Sequence, residues 1–228
     1  MDERTSPGTE TIRIALPKGR LEADARTLFV AAGLMDAQGT PSRVLLWPGA
    51  RPGLEFLLAK PADVPVYVEH GVADLGIVGL DVLREGQYDV YEPMLLPFGH
   101  CRLSVAVPKD KVNTYHSLRL HPNPRVATKY PNLARAFFHA RGVSPEIIHL
   151  SGSVELGPLV GLADVVVDLV QTGRTLRENG LVEVRVILHS QAVLIANRAS
   201  YRLKETGIMD ILQRVQRVIE AQPSVAES

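Results

Sequence analysis

A candidate phosphate-binding loop lies in the segment 165–176, which reads VVVDLVQTGRTL. The apolar run predicts a buried strand, and Thr172, Gly173 and Thr175 fall where a loop turns into a helix. Backbone N–H groups at the start of a helix can hold a phosphate, threonine hydroxyls add donors, and glycine tolerates a positive φ. Asp168, at the carboxyl end of the strand, can accept hydrogen bonds from ribose hydroxyls or help to place a metal. The alternative is a plain strand-to-helix turn with a threonine cap, but the upstream acid favours phosphate binding.

Other polar residues also follow predicted strands. Lys18, Gly19 and Arg20 come after the strand IRIAL, in the position where open α/β sheets bind ligands. A solvated basic turn is the alternative for these three. Asp81 follows the strand LGIVG and could equally be a helix cap. Lys129 follows the strand RVAT, and a lysine at a strand end suits a pyrophosphate or a nucleotide phosphate.

Predicted strands and helices that would position these residues alternate along the chain. The strands are IRIAL, VLLW, LEFLLA, ADLGIVG, CRLSVAVP, RVAT, EIIHL, DVVVD, VEVRVIL and AVLIAN. One helix follows IRIAL, another starts at 81–84, and others are predicted over 64–70, 133–141, 155–162 and 173–179. A last helix is indicated by the apolar stripe of Ile208, Ile211, Leu212, Val215, Val218 and Ile219. This alternation implies mainly parallel sheets that are covered by helices on both faces.

The composition limits the class of protein. A chain of 228 residues allows one large domain or two lobes, and 46% hydrophobic with 22% charged residues is ordinary for a globular protein. Lysine plus arginine equal aspartate plus glutamate at 25 each, so no net field would attract nucleic acid or an anionic membrane. The single cysteine, Cys101, excludes an internal disulfide and a cysteine metal cluster.

The expected location is the cytoplasm. Residues 1–11 are polar and acidic, unlike a secretion signal, and are expected to form a mobile tail. No apolar run approaches the ~20 residues that span a bilayer. The seven histidines have no metal-ligand spacing, so no metal site made confidently of protein side chains is expected.

The loop resembles those of known phosphoribosyltransferases. Salvage phosphoribosyltransferases share the acidic strand and TGxT, but they usually carry two adjacent acids, and here Leu169 replaces the second. A second family fits better. Glu155, Gly161, Ala163, Val166, Asp168, Leu169, Thr172, Gly173, Thr175 and Leu176 have the spacing typical of ATP phosphoribosyltransferase, the first enzyme of histidine biosynthesis. The resemblance extends through ALPKGRL, DVPVYVEHGVADLGIVGLDVL, RVATKYPNLA and LSGSVELGPLVGLAD, and covers the chain from residue 12 to about residue 218.

The resemblance implies a reaction. N1 of the adenine of ATP would attack the anomeric carbon of phosphoribosyl pyrophosphate, giving phosphoribosyl-ATP and pyrophosphate. Bond breaking would run ahead of bond making, so catalysis would consist of positioning and electrostatic stabilisation. Mg²⁺ would accompany the pyrophosphate and be held chiefly by substrate phosphates, with Glu155 or Asp168 as candidate protein ligands.

It also implies roles for individual residues. Thr172, Gly173, Arg174 and Thr175 would grip the ribose 5-phosphate. Asp168 would contact the ribose hydroxyls.

Further roles are implied for residues outside the loop. Lys18, Gly19 and Arg20 would contact ATP or pyrophosphate, and Lys18, Arg20 and Asp168 are expected to be catalytic. Glu155 would contact ribose or metal, although a charge at a helix N-terminus is the alternative.

Four more residues complete the expected substrate-binding set. Asp81 would share the edge of the first lobe with Lys18, and Lys129 would bind a phosphate. Arg43 and Arg51 would stabilise the leaving pyrophosphate, with surface arginines as the alternative.

The family's fold is a two-lobed α/β fold of the type II periplasmic-binding-protein kind, with a cleft between the lobes. A discontinuous lobe I is expected from 12–96 and 182–222, lobe II with the phosphoribosyl pyrophosphate loop from 97–181, and a tail from 223–228.

The chain resembles the short form of the family, which works with a regulatory subunit resembling histidyl-tRNA synthetase in a hetero-octamer. The competing hypotheses are a solute-binding module of the same fold, which predicts a secretion signal or lipoprotein cysteine, and a salvage enzyme, which predicts the second acid.

Overall fold

The computed structural model describes residues 11–37, 44–116 and 123–221. The predicted tails at 1–11 and 223–228 therefore lie almost wholly outside the described residues. Two compact units are present. Unit 1 contains the described parts of 1–83, 88–99 and 191–228, and unit 2 those of 84–87 and 100–190.

Unit 1 is built on a six-stranded sheet with the strand order β2-β3-β1-β4-β11-β5. Its strands are β1 (Ile12–Pro17), β2 (Leu46–Pro48), β3 (Leu54–Ala59), β4 (Leu75–Gly79), β5 (Tyr91–Leu95) and β11 (Ala192–Ala196). Its helices are α1 (Glu22–Ala31), α2 (Val64–Glu69), α8 (Arg198–Leu203) and α9 (Glu205–Ala221), while α3 (Leu80–Gly86) runs from unit 1 into unit 2.

The core of unit 1 confirms the predicted helical stripe near the end of the chain. Ile208, Ile211, Leu212 and Val215 of α9 are buried in one cluster with β1 and with Phe29 of α1. Each buried aliphatic side chain of this size contributes about 1.5–3 kcal/mol to folding. The central strands are therefore held rigidly, and their ends provide fixed positions for the loops that follow.

Unit 2 is built on a five-stranded sheet with the order β10-β6-β9-β7-β8. Its strands are β6 (Cys101–Pro108), β7 (Arg125–Thr128), β8 (Glu146–His149), β9 (Val165–Val170) and β10 (Leu181–Ser190). Its helices are a 3₁₀ turn (Lys109–Lys111), α4 (Val112–His116), α5 (Pro131–His139), α6 (Leu156–Leu159) and α7 (Arg174–Glu178).

Both sheets are mixed, which corrects the expectation of mainly parallel sheets. In unit 1 only β3, β1 and β4 are parallel neighbours, and in unit 2 only β9, β7 and β8. β11 follows β10 directly and pairs antiparallel with β4. An alternation of strands and helices along the chain does not fix the direction of a strand that enters a sheet from the other unit, as β11 does.

β10 belongs to unit 2, which corrects the expected start of the second part of lobe I at residue 182. The strand pairs antiparallel with β6 from Leu181↔Pro108 to Ser190↔Cys101. The chain therefore leaves unit 2 after residue 190, whereas its entry at residue 100 lies close to the expected 97. An apolar strand pattern identifies a strand but does not say which sheet it joins.

Some elements differ from their predicted extent. The helix predicted over 155–162 is only the single turn α6, because Gly157, Pro158 and Gly161 cannot sustain a longer helix. β5, α4 and α8 were not predicted. No helix within the described ranges is long and apolar enough to span a membrane.

Candidate active site

The carboxyl ends of β7 and β9 bring predicted site residues together in unit 2. These strands are parallel neighbours, with Thr128 opposite Val167. Lys129 and Asp168 are the next residues of the two strands, so they lie at the same edge of the sheet. Glu155, in the turn before α6, acts electrostatically on Asp168, which places it at this edge too. The structure thus groups three of the residues that the sequence singled out.

Asp168 has an unusual environment for a carboxylate. Burial is the main cause that raises its pKa from 3.8 to about 6. The nearby charge of Glu155 acts in the same direction, and the Leu169 backbone and Lys129 act against it. A neighbouring carboxylate and partial burial both disfavour the ionised form of Asp168. The arrangement suits a ligand group that stabilises the ionised carboxylate of Asp168, such as a cation or a hydroxyl that donates a hydrogen bond.

The loop after β9 has the backbone conformation that its glycine predicts. Gly173 has a φ of 72° in the left-handed region, where other residues are strained. Leu176, which is buried, anchors α7 against unit 2, whereas Thr172 and Thr175 are exposed. Arg174 forms an exposed ion pair with Glu178 at 2.7 Å, so binding a phosphate requires its side chain to exchange partners.

The helix after this loop is shorter than predicted. α7 has five residues instead of the seven expected over 173–179. A single turn has only a small macrodipole, so individual N–H groups and hydroxyls must supply most of the attraction for an anion. The N–H of Arg174 points at Oγ1 of Thr172 at 3.4 Å, which orders the loop locally.

Glu85 is a residue that sequence reasoning missed. Its two carboxylate oxygens accept the N–H groups of Asn132 and Leu133 at 2.8 and 2.9 Å. Those are the first free N–H groups of α5, since Pro131 has none and Tyr130 provides no side-chain cap. Glu85 therefore caps α5 from 47 residues away.

Thr128 fixes the other end of the same turn. Its hydroxyl donates to the carbonyl of Val167 at 2.7 Å and accepts the N–H of Tyr130 at 2.8 Å. Lys129 is thus the exposed residue of a turn that is held on both sides. No local sequence signal identifies Glu85, because a cap is normally sought at the residue before the helix.

The carboxyl edge of the sheet in unit 1 holds a second group of predicted residues. Lys18, Gly19 and Arg20 follow β1, and all three are exposed. Gly19 has a φ of 86°, and its N–H donates to Glu22 at 3.3 Å. Arg20 donates to the carbonyl of Gly99 at 2.9 Å.

Asp81 lies at this edge as well, because β4 is a parallel neighbour of β1. It is only 2% exposed. Its Oδ1 lies 2.3 Å from the position that a Cβ on Gly79 would occupy, so only glycine allows this carboxylate to fold back over the strand end. Asp81 is therefore a buried group of the strand-to-helix turn, whereas Lys18 at the same edge is exposed.

Arg51 does not lie at this edge. It precedes β3, whose first residue Leu54 pairs with Ile12 at the start of β1. Six residues at ~3.3 Å each separate the amino and carboxyl ends of these strands, so Arg51 is roughly 20 Å from Lys18. Its guanidinium instead pairs with Asp210 of α9. Arg43 lies outside the described residues.

Comparisons with known proteins identify the family of the chain. Residues 60–217 match the family model HisG, described as ATP phosphoribosyltransferase. A Caldanaerobacter subterraneus protein named ATP phosphoribosyltransferase is 48% identical over 211 residues, which cover 92% of this chain and 98% of that protein. A Geobacillus kaustophilus protein of the same name is 49% identical, with 91% and 98% covered.

Solved structures give the same result and confirm the expected fold. The ATP phosphoribosyl transferase (HisG:HisZ) complex from Thermotoga maritima contains a chain with a TM-score of 0.81 and 34% identity, with 93% of this chain and 100% of that chain covered. The alkanesulfonate-binding protein SsuA from Xanthomonas axonopodis has a TM-score of 0.56 at 14% identity, covering 92% of this chain and 73% of its own. That second likeness shows the periplasmic-binding-protein fold alone.

Proposed function

Because the chain belongs to the ATP phosphoribosyltransferase family, we propose that its two groups of site residues divide the substrates of that reaction between them. The enzyme transfers the phosphoribosyl group of phosphoribosyl pyrophosphate to N1 of the adenine of ATP. The products are phosphoribosyl-ATP and pyrophosphate, in the first step of histidine biosynthesis.

Unit 2 binds the ribose phosphate in this proposal. The observation that carries it is the left-handed Gly173, which follows the Asp168 strand and is flanked by two exposed threonines. Thr172 and Thr175 offer hydroxyls to the 5-phosphate, and Arg174 adds charge once released from Glu178. Asp168 accepts hydrogen bonds from the ribose hydroxyls.

Asp168 also acts on the reacting carbon. As the pyrophosphate leaves, positive charge develops on the ribose, and an ionised carboxylate held close to it stabilises that charge. The half-burial that raises the pKa of Asp168 also limits its screening by water, so its charge acts more strongly than an exposed one. No covalent nucleophile is needed for this step.

Unit 1 binds the phosphates of ATP or the departing pyrophosphate. Lys18 and Arg20 provide two exposed cationic side chains directly after β1, and Gly19 lets the backbone turn between them. Within unit 2, Lys129 is an exposed cation that can contact pyrophosphate beside Asp168. Asp81 supports the turn that follows β4.

Magnesium fits the carboxylate pair of unit 2. Mg²⁺ prefers hard oxygen ligands, which Asp168 and Glu155 both offer, and their mutual repulsion would be relieved by a cation. When bound, the ion would neutralise charge on the pyrophosphate. In the described ranges no cluster of three or more histidine, cysteine, aspartate or glutamate residues could hold a metal, so substrate oxygens would complete its coordination.

We propose that the chain works with a regulatory subunit. The Thermotoga maritima structure is a HisG:HisZ complex, and this chain covers that solved chain completely. A subunit of the histidyl-tRNA synthetase type, assembled with this chain in a hetero-octamer, would bring feedback by histidine. Size-exclusion chromatography with light scattering on the mixed subunits tests the stoichiometry.

We also propose that the protein is cytoplasmic. Its substrates are phosphorylated metabolites of the cell interior, and the lone Cys101 fits a reducing compartment. Cell fractionation with an antibody against the chain tests this location.

The direct test is an assay of purified protein with ATP, phosphoribosyl pyrophosphate and Mg²⁺, with and without the regulatory subunit. We expect phosphoribosyl-ATP to form, and chelation of Mg²⁺ to stop its formation. Folded protein that binds phosphoribosyl pyrophosphate without turning it over under either condition would point instead to a solute-binding module. Unchanged turnover after chelation would remove the metal from the proposal.

A further inference from the structure

Two arginines hold consecutive carbonyl groups of the loop after β9. Nη1 of Arg102 donates to the carbonyl oxygen of Gln171 at 3.3 Å. Nη1 of Arg177 donates to the carbonyl oxygen of Thr172 at 3.0 Å. The two arginines come from different elements, β6 and α7, and neither belongs to the sequence pattern that identified the loop.

Arg102 is itself held firmly. Its Nε and Nη2 each donate to a different oxygen of Glu183 on β10, both at 2.6 Å. Ser104, which is buried, donates its hydroxyl to Oε1 of Glu183 at 2.8 Å. Ser104 also lies directly opposite Asp168 in the β6–β9 register, so this network adjoins the proposed ribose site. A paired arginine of this kind has a fixed direction, unlike a free surface arginine.

Glycine at residue 173 leaves space for the guanidinium of Arg177. A Cβ on Gly173 would lie 3.0 Å from Nη1 of Arg177, tighter than about nine in ten real contacts of a Cβ. The glycine therefore has two functions: it adopts the left-handed conformation, and it leaves space for the guanidinium behind the loop.

The direction of the carbonyls determines the direction of the amides. In a planar trans peptide unit, the carbonyl and the N–H of the next residue point in opposite directions. The N–H groups of Thr172 and Gly173 therefore each point away from the arginine that holds the preceding carbonyl. Two adjacent N–H groups that face outward can bind a phosphate oxygen.

We propose that Arg102 and Arg177 form a loop brace, a pair of positioning residues that fix the Thr172 and Gly173 amides toward the ribose 5-phosphate. Glu183 and Ser104 act through Arg102. The proposal rests on the proposed function, since it assumes that this loop binds phosphoribosyl pyrophosphate. Neither arginine needs to touch the substrate for the loop brace to work.

The test compares Arg177→Ala and Arg102→Lys with the wild type. Arg177 is exposed, so its loss should leave the melting temperature almost unchanged. Lysine at 102 keeps one charge near Glu183 but cannot donate to both of its oxygens and to Gln171. Arg135→Ala is a matched control. Arg135 is an exposed arginine of the same unit, and it donates to Oδ1 of Asn132 and not to the loop after β9.

We expect each brace variant to weaken binding of phosphoribosyl pyrophosphate about tenfold, the order expected for losing one hydrogen bond from a charged donor. The KM for ATP should change less than about twofold, and kcat should fall less than kcat/KM for phosphoribosyl pyrophosphate. Arg177→Lys, which retains one donor, should restore part of the affinity. Isothermal titration calorimetry with Mg²⁺ gives the affinity without requiring turnover, and steady-state kinetics of the complete enzyme give the KM values.

Wild-type affinity for phosphoribosyl pyrophosphate in both variants would overturn the loop brace. Equal increases in the two KM values, or a loss of affinity that follows the melting temperature, would show only general damage and would also overturn it. The proposed function fails differently: in that case wild-type protein itself would not bind phosphoribosyl pyrophosphate, or Thr172→Ala would leave its binding unchanged.

Discussion

The two units use the same device, a set of parallel strands that end in polar loops, but they hold their polar groups differently. In unit 2, Lys129 lies in a turn fixed by Thr128 and Glu85, and Asp168 is half-buried. In unit 1, Lys18 and Arg20 are long exposed side chains, and Arg20 donates to the main-chain oxygen of Gly99. The polar edge of unit 2 is therefore prearranged, whereas the cations at the edge of unit 1 are adaptable.

This difference indicates which part of the substrates each sheet edge is suited to bind. A reacting carbon needs charges that are already in place, because reorienting dipoles during the reaction costs free energy. Phosphate chains are flexible and carry several charges, so mobile cations can follow them. We therefore expect substitutions in unit 2 to lower activity more than substitutions in unit 1. We also expect the site residues of unit 2 to tolerate conservative replacement less well.

The largest expected effect comes from Asp168→Asn. Asparagine keeps the size and can still accept hydrogen bonds, but it removes the charge proposed to stabilise the ribose. We expect kcat to fall about 1000-fold, measured as initial rates of phosphoribosyl-ATP formation. Asp110→Asn, at an exposed aspartate of the same unit, should have no effect. A loss below about tenfold would mean that unit 2 is not prearranged around this charge.

The same substitution should stabilise the protein. The pKa of Asp168 is raised from 3.8 to about 6, so the folded state takes up a proton between those values and the unfolded state does not. The free energy of unfolding of the wild type therefore falls as pH rises from about 4 to about 6, by up to about 3 kcal/mol. Asp168→Asn avoids this loss, so it should be more stable at pH 7 and equally stable at pH 3.5. Urea unfolding at both pH values checks this, and equal stability at pH 7 would contradict the burial of a charged group here.

The contrast between the units also shows what the sequence could predict. The strand pattern was enough to place Lys129 and Asp168 each at the carboxyl end of a strand, but only the structure shows that β7 and β9 are parallel neighbours. The sequence could not reveal Glu85 or Arg102, whose partners lie 47 and 81 residues away and form through tertiary packing. Likewise, the pattern of β10 predicted a strand but not its sheet, since both sheet edges accept an amphipathic strand. The ion pair of Arg51 with Asp210, 159 residues away, is likewise a tertiary contact that the sequence could not reveal.

A smaller effect is expected from Lys18→Ala in unit 1. Loss of one exposed cation should raise the KM for ATP or the inhibition constant of pyrophosphate about tenfold, with the KM for phosphoribosyl pyrophosphate changed less. Lys18→Arg should retain most of the activity, because the edge supplies charge and has no fixed geometry. The effect should shrink as salt is raised from 0.05 to about 0.5 M, since exposed charges are screened. Kinetics at the two salt concentrations test this, with Lys109→Ala as an exposed control. Strict dependence on lysine would show that unit 1 is as prearranged as unit 2.

The smallest effect is expected from Glu85→Ala, which loosens the turn that carries Lys129. Loss of the cap on α5 should lower the free energy of unfolding by about 1 kcal/mol, and Glu85→Gln, which keeps one acceptor oxygen, should lower it less. Because the charge of Lys129 lowers the pKa of Asp168, a mobile Lys129 lets that pKa rise, and the acid limb of the pH profile of kcat/KM should move upward. A merely structural cap would lower stability without moving that limb. If the limb stays in place while stability falls, Lys129 is as adaptable as Lys18, and the contrast between the two units is limited to Asp168 and the loop that follows it.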